Sequence, residues 1–177
     1  KVRKAVGLAL DREAFAQDLA KDFDRPGGVI DTVVTMPGQF GHRAVGTERD
    51  IKKAKDLLSQ AGWKNSSGKA MKGGQQLKLV LPIPEKNDAS AHRAKLITEQ
   101  LKEIGIAVKT DVVAADTFYE KRVIPMDFDL VTFTRRGSAF NVAKSRLWFT
   151  PRDSPQNFTG QASNETRLAF AQALAEP

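Results

Sequence analysis

Cysteine is absent from the 177 residues, which excludes disulfides, thiolate metal sites and a cysteine nucleophile within them. Only two histidines are present, His42 in a stretch punctuated by glycine and proline and His92 near a helix start, and neither stands at metal-ligand spacing. A zinc-protease pattern is therefore missing, and a nucleophile, base and orienting group cannot be assembled from neighbours in sequence. No apolar run approaches the length of a membrane span, and no signal peptide with an apolar centre and small-residue cleavage site is found. The chain opens at Lys1 without an initiator Met and closes at Pro177 just past a helical pattern, so it reads as part of a longer one. Acid is missing from two long stretches. Residues 63–84 carry Lys64, Lys69, Lys72 and Lys78, and residues 130–152 carry Arg135, Arg136, Lys144, Arg146 and Arg152, without one Asp or Glu.

What is present suffices for one globular domain: 41% hydrophobic residues can bury a core at this length. The formal net charge of +7 raises the question of an anionic partner. Val2, Val6 and Leu10 lie at helical spacing, Asp11 starts a second helix with Phe15, Leu19 and Phe23 on one face, and both helices are expected against the core. Residues 25–46 lose all pattern and read as a long irregular segment. Asp50 caps a helix with Ile51, Ala54, Leu57, Leu58 and Ala61 as its apolar stripe, Gly62 stops it, and Trp63 packs back.

Residues 64–76 read as a polar loop leading to a strand at 77–82 that Pro82 and Pro84 close. Asp88 or Ser90 caps the longest helix, 91–104, which Gly105 ends before a strand at 106–113. Strand, helix and strand in this order predict a parallel βαβ unit. Asp116 caps a short helix through Val123, and residues 128–133 predict a third, buried strand. Helical turns over 142–149, a loop over 151–160 and a last helix capped by Asn164, with Leu168, Ala171 and Leu174 along it, complete an α/β fold with a mixed sheet and flanking helices.

The predicted third strand opens at its carboxyl end into Arg135, Arg136, Gly137 and Ser138, the place where open α/β sheets bind ligands. Solvated arginines on an edge loop are the plainer alternative. Asp127 and Asp129 alternate along that strand, point to opposite faces, and cannot act as a paired acid and base. They read as turn and edge residues. Residues 62–69 fail as a phosphate loop because five residues separate Gly62 from Gly68, Ala70 stands where Ser or Thr is required, and a helix precedes them. Asn65, Asn157 and Asn164 head glycosylation-type triplets, which matter only in a eukaryotic secretory setting. Phe133, Arg135 and Phe140 are the nearest approach to a nucleic-acid surface, but the phenylalanines read as core.

Four stretches in order resemble the extracellular solute-binding protein family 5, the peptide- and nickel-binding components of bacterial ABC importers. VRKAVGLALDR at 2–12 is similar to the helix that opens the family's second lobe. DIKKAKDLLSQAGW at 50–63 resembles its AKxLLxxAGW helix, and an LKLVL strand follows. LKEIGIAV at 101–108 and DFDL at 127–130 continue the match. NFTGQASNET at 157–166 resembles the family's N-x-x-G-x-S-N-P stretch with Glu165 in place of proline, and PGQFGHR at 37–43 resembles actinobacterial members.

The resemblance implies one lobe, the C-terminal one, of a two-lobed type II periplasmic-binding-protein fold, with the other lobe lying outside this sequence. It implies a monomeric, non-catalytic binder of a peptide-like or anionic small solute, without metal, cofactor or nucleic acid. Such a binder serves an ABC permease from the periplasm or cell surface and touches the membrane only through an upstream lipid anchor. A family relative acting as a lipoprotein regulator or scaffold in cell-wall glycolipid assembly is the alternative, and a basic nucleic-acid module is a third class. Peptide-binding members carry a Trp and then an Asp in the loop after the DFDL strand, the Asp holding the ligand's amino terminus. Arg135 and Ser138 stand there in this sequence, which favours a carboxylate or phosphate and makes Arg135, Arg136, Ser138 and Phe140 the candidate ligand-binding residues.

Overall fold

The structure is a computed structural model and describes residues 1–21, 28–35, 37–39, 41–46, 48–132 and 140–175. Helix α1 (Val2–Ala9) and helix α2 (Arg12–Lys21) meet at Asp11, whose Oδ1 accepts from the Ala14 N–H at 3.0 Å while its own N–H donates to Gln100 Oε1 at 2.8 Å. That carboxylate is the N-cap expected from the sequence. The two helices differ in their share of the core. Ala5, Val6 and Ala9 of α1 are buried, but no α2 residue is, and only a half-buried Phe15 leans on the core.

Helix α3 (Ile51–Gln60) is capped by Asp50, which accepts from Lys53 N–H at 2.8 Å, and buries Ala54 and Leu58. Alanines on both helices let the α1 and α3 backbones come close, and the approach is fixed by polar bonds. Asp50 N–H donates to Leu8 O at 2.8 Å, and Arg49 Nε donates to Ala9 O at 2.9 Å while its Nη2 meets Glu103 at 2.6 Å.

Residues 64–76 are not a loop. They form an antiparallel meander of β1 (Lys64–Ser66), β2 (Lys69–Lys72) and β3 (Gln75–Gln76). Its two-residue turns, Ser67-Gly68 and Gly73-Gly74, have positive φ at every central position, as tight hairpins demand. Hydrophobic alternation is missing because only Ala70 of this sheet is buried. Turn chemistry was the readable signal.

The βαβ unit is as expected. β4 (Lys78–Pro84) pairs in parallel with β5 (Ala107–Val113), from Lys78 opposite Ala107 to Pro84 opposite Val113, and α4 (Asp88–Lys102) connects them. The α4 cap is Asn87, one residue before the expected Asp88: its side chain accepts from Ser90 N–H at 2.8 Å. Leu81, Leu101 and Ile106 are the largest fully buried apolar side chains of this unit, each worth about 1.5–3 kcal/mol of transfer free energy. The core joins α1, α3, β4, α4, the start of β5 and Ala70 of the meander.

Residues 128–132 do not form the predicted third strand, and Phe133 lies outside the described residues. The reason lies in β4. Ala107 N–H donates to Leu77 O and Glu85 N–H to Val113 O, so odd-numbered β4 residues address β5. Even-numbered ones address the open edge, and two of those are Pro82 and Pro84, which have no N–H to offer. Pro82 sits inside β4, and Pro84, as expected, is its last residue. Beyond Val80 no ladder can be built.

After β5 a π-helical turn, Tyr119–Val123, anchored by buried Phe118 and Val123, replaces the expected short helix. Helices α5 (Asn141–Phe149) and α6 (Asn164–Ala175) pack through stacked Phe149 and Phe170 at 6.3 Å. Ser163 rather than Asn164 caps α6, its Oγ accepting from Thr166 N–H at 3.0 Å. Phe170 is the buried residue of α6, whereas Leu168 and Leu174 are exposed. Between α5 and α6, buried Asn157 spends its whole side chain on the loop. It donates to Pro151 O and Gln161 O at 3.1 and 2.8 Å and accepts from Thr159 N–H and Oγ1 at 3.2 and 2.6 Å.

Gly105 joins the meander to the βαβ unit. Its carbonyl accepts from Ala70 N–H at 2.9 Å, its φ is +81°, and a Cβ placed there would stand 2.5 Å from the Ala70 nitrogen. Replacing Gly105 with alanine therefore adds a backbone clash to left-handed strain, whereas Gly73→Ala, at φ +56° with open space around it, adds strain alone. In urea titrations Gly105→Ala is expected to lose at least about 2 kcal/mol and Gly73→Ala about 1 kcal/mol. Equal losses would show that the meander gives way at no cost.

Candidate functional site

Where the β4 ladder stops, a side chain takes over. Asp129 Oδ2 accepts from the Val80 N–H at 2.8 Å, and the N–H groups of Asp129 and Leu130 both donate to Val80 O at 3.1 and 3.0 Å. Asp129 thus staples residues 128–130 to the open edge at one point instead of along a ladder. A second tie lies at the segment's start, where the Arg122 guanidinium bridges Asp111 of β5 and Asp127. The two aspartates expected as turn and edge residues each hold a specific partner.

Leaving the ladder frees Phe128, Leu130 and Val131 to line a half-open cavity of about 730 Å³ together with Val2 and Val6 of α1, Leu79 of β4 and Val33 of the irregular segment. Its aromatic wall comes from Trp148 and Phe149 at the end of α5 and Phe158 of the Asn157 loop. The polar rim is Arg3, Asp129, Gln156 and Thr159, and Arg3 Nη2 donates to Thr159 O at 2.8 Å. The irregular segment reaches this wall through Ser145, whose buried Oγ donates to Val33 O at 3.1 Å. A mostly apolar cavity of ~300–1,000 Å³ with a few convergent polar groups is the usual form of a small-molecule site.

Of the residues singled out from the sequence, Arg135, Arg136 and Ser138 lie outside the described residues. Phe140 is described and is not core: its side chain is 79% exposed just before α5, and it does not line the cavity. Trp148, Phe149, Phe158, Val33 and Arg3 were not foreseen. The NFTG stretch was the one signal that could have pointed to Phe158 and Thr159.

The histidines serve the scaffold. His92 Nε2 lies 2.9 Å from Asp18 Oδ1, linking α4 to α2. His42 stands 3.6 Å from Asp31 Oδ1 and 3.4 Å from Thr35 Oγ1 and ties the irregular segment to itself. Among the described residues no three His, Asp or Glu side chains are placed to hold a metal ion, and no helix is long and apolar enough to cross a membrane.

A sequence profile described as bacterial extracellular solute-binding proteins, family 5 Middle, matches residues 1–157. The chain belongs to this family. The oligopeptide-binding protein AppA of Bacillus subtilis (strain 168) is 31% identical over 132 residues, which are 73% of this chain and 24% of AppA. The structure of the B. subtilis AppA in complex with a nonapeptide superposes with a TM-score of 0.77 at 26% identity, over 97% of this chain and 35% of AppA. A periplasmic EDTA-binding protein, EppA, superposes at 0.79 and 26% identity, over 97% of this chain and 33% of EppA. An oligopeptide ABC transporter periplasmic protein of Thermotoga maritima shares the fold at 0.78 and 20% identity, over 97% and 35% of the two chains. These family 5 neighbours are two-lobed type II periplasmic binding proteins, of which this α/β chain spans about a third of the length.

The Asp129 staple can be tested directly. Asp129→Ala is expected to lose about 1–2 kcal/mol in urea titration, the worth of a charged hydrogen bond, and to raise amide exchange at Val80. Asp129→Asn, which keeps an acceptor oxygen, should lose less. Unchanged exchange at Val80 in Asp129→Ala would show that the staple holds nothing.

Proposed function

We propose that this chain is the second lobe of an extracytoplasmic family 5 solute-binding protein that captures a peptide-like or other polar solute and hands it to an ABC permease without transforming it. The observation that carries the reading is the cavity beside residues 128–131, half open and apolar with a polar rim, on a fold shared with a nonapeptide-bound relative. A peptide-like ligand suits it because one side chain can enter the aromatic wall while its backbone polar groups stay at the rim with Arg3, Asp129 and Gln156. The chain covers about a third of the relatives' length, so the other wall of the cleft is assigned to the rest of the protein. Ligand burial then requires closure of the two lobes.

Specificity is assigned to Arg135, Arg136 and Ser138. Where peptide-binding relatives place an acidic anchor for the ligand's amine, a hydroxyl beside two guanidiniums favours a carboxylate or phosphate. Arg136 shares its parity with Ser138 and is the expected partner of the anion.

Calorimetry against a panel of peptides and small anions tests both halves of this reading. The 177-residue chain alone is expected to bind no panel member in the micromolar range, and the full-length parent to bind at least one. In the parent, Arg136→Ala should weaken the preferred ligand more than tenfold, about 1.4 kcal/mol or more. Micromolar binding by the chain alone would overturn the shared cleft. A preferred ligand without negative charge, or both Arg135→Ala and Arg136→Ala staying within about twofold (below ~0.5 kcal/mol), would overturn the anion preference.

A further inference from the structure

The meander is anchored more firmly than a surface ornament requires. Gly105 O accepts from Ala70 N–H, Gln76 Nε2 reaches the same carbonyl at 3.2 Å, and Leu77 N–H donates to Ala70 O at 2.8 Å. Side-chain parity then sorts its residues into two faces. Ala70 turns to the core, and Lys72 on the same side lies over the Trp63 ring and donates to Ala61 O at the end of α3. Lys69 and Met71 therefore point outward, and the cross-strand register adds Lys64 opposite Met71 and Ser66 opposite Lys69. Lys64, Ser66 and Lys69 are exposed, and Lys78 is exposed where the meander passes into β4. No acid occurs from residue 63 to 84, and Asp56 of α3 is the one carboxylate in the adjoining crevice.

A rigid cationic sheet face of this kind fits two partners, an acidic protein or an anionic lipid surface. Stable protein interfaces are centred on buried apolar or aromatic anchors. Among the described residues, no exposed large hydrophobic lies between Val45 and Val112, so the face offers no such anchor. Its cations are all lysines, point charges rather than the planar forks that recognise single carboxylates. A phospholipid surface asks only for charge at short range, and each lysine near it adds to the attraction.

We propose that the outer face of the meander docks this lobe on an anionic phospholipid bilayer through Lys64, Lys69 and Lys78. The contact is electrostatic and superficial: Met71 supplies a single apolar side chain between the cations, and nothing inserts. It is independent of the ligand cavity, which is lined by no residue of the meander and not by Lys78, and holds whether or not the solute reading is right.

Sedimentation of the chain with vesicles of phosphatidylglycerol mixed with phosphatidylcholine, against phosphatidylcholine alone, tests this. Partition should favour the anionic vesicles and fall steeply as salt rises from about 0.05 to about 0.5 M, because the screening length shortens from beyond ~10 Å to a few ångströms. Lys64→Glu/Lys69→Glu should lower the anionic partition at least about tenfold. Lys86→Glu/Lys121→Glu, an equal charge change at the far end of the parallel pair, should lower it only about twofold, through net charge. The neutral pair Lys64→Gln/Lys69→Gln, with circular dichroism unchanged, should fall between them. Equal partition into both vesicle types, or equal losses from the meander pair and the far-end pair, would overturn the proposal and leave the face to an acidic protein or to solvent.

Discussion

The two edges of β4 are chemically unlike, and much of the fold follows from that difference. The Leu77 carbonyl and the peptide groups of Leu79, Leu81 and Ile83 face β5 and complete a parallel ladder. The opposite edge offers a donor at Val80 and then two prolines. A chain arriving there can be fastened but cannot zip. The Asp129 carboxylate fastens it, and the segment that would have been a third strand is free to depart and line a cavity. An unbroken ladder would have sealed the edge with backbone, whereas a single-point staple leaves side chains of residues 128–131 to make a wall. Natural sheets confine proline to such edges because the missing N–H is harmless only where no partner strand needs it.

A second constraint works at the other end of the same unit. Gly105 stops α4, turns the chain into β5 and presses its backbone on that of Ala70 with no room for a side chain. The small β-meander is thereby held as a platform, since three strands of two to four residues would not persist alone. One face of that platform feeds Ala70 into the core and Lys72 onto the end of α3. The other is left to lysine and solvent. Rigidity and charge on the same small sheet come from one glycine contact and from an acid-free stretch of sequence.

The remaining elements are more loosely tied. Helix α2 buries nothing fully and is held by the Asp11 cap, by Phe15 on the core and by His92 against Asp18, and α6 packs through Phe170 stacked on Phe149. The described residues of the irregular segment before α3 are held by polar ties, Asp31 to Val45 N–H, Ser145 to Val33 O and Asn141 to Gln39, and none of them is buried. Elements held this way open at lower free energy than the βαβ core. Of these elements, the irregular segment reaches the cavity through Val33, and the described residues of α2 and α6 do not line it.

Periodicity and capping made α1, α3, α4, β4 and β5 legible in the sequence, because their apolar residues repeat at 3.6 or 2 and Asp50 and Gly105 mark ends by local chemistry. The VRKAVGLALDR, AKDLLSQAGW and DFDL stretches carried the family. What failed were readings that depended on a partner. Residues 128–132 have strand composition, yet whether they pair is decided by the prolines of another strand about 45 residues away. The meander has no apolar alternation to betray it, since one alanine is its whole contribution to the core. Phe140 looks like core and is exposed, while Trp148 and Phe158 line one cavity with Val2 and Val6 from the other end of the sequence. Local order is set by neighbours along the chain and was readable from it. The cavity is made where segments distant in sequence meet, and the cationic face, local in sequence, takes its shape from strand pairing and the Gly105 contact, so only the tertiary structure could decide them.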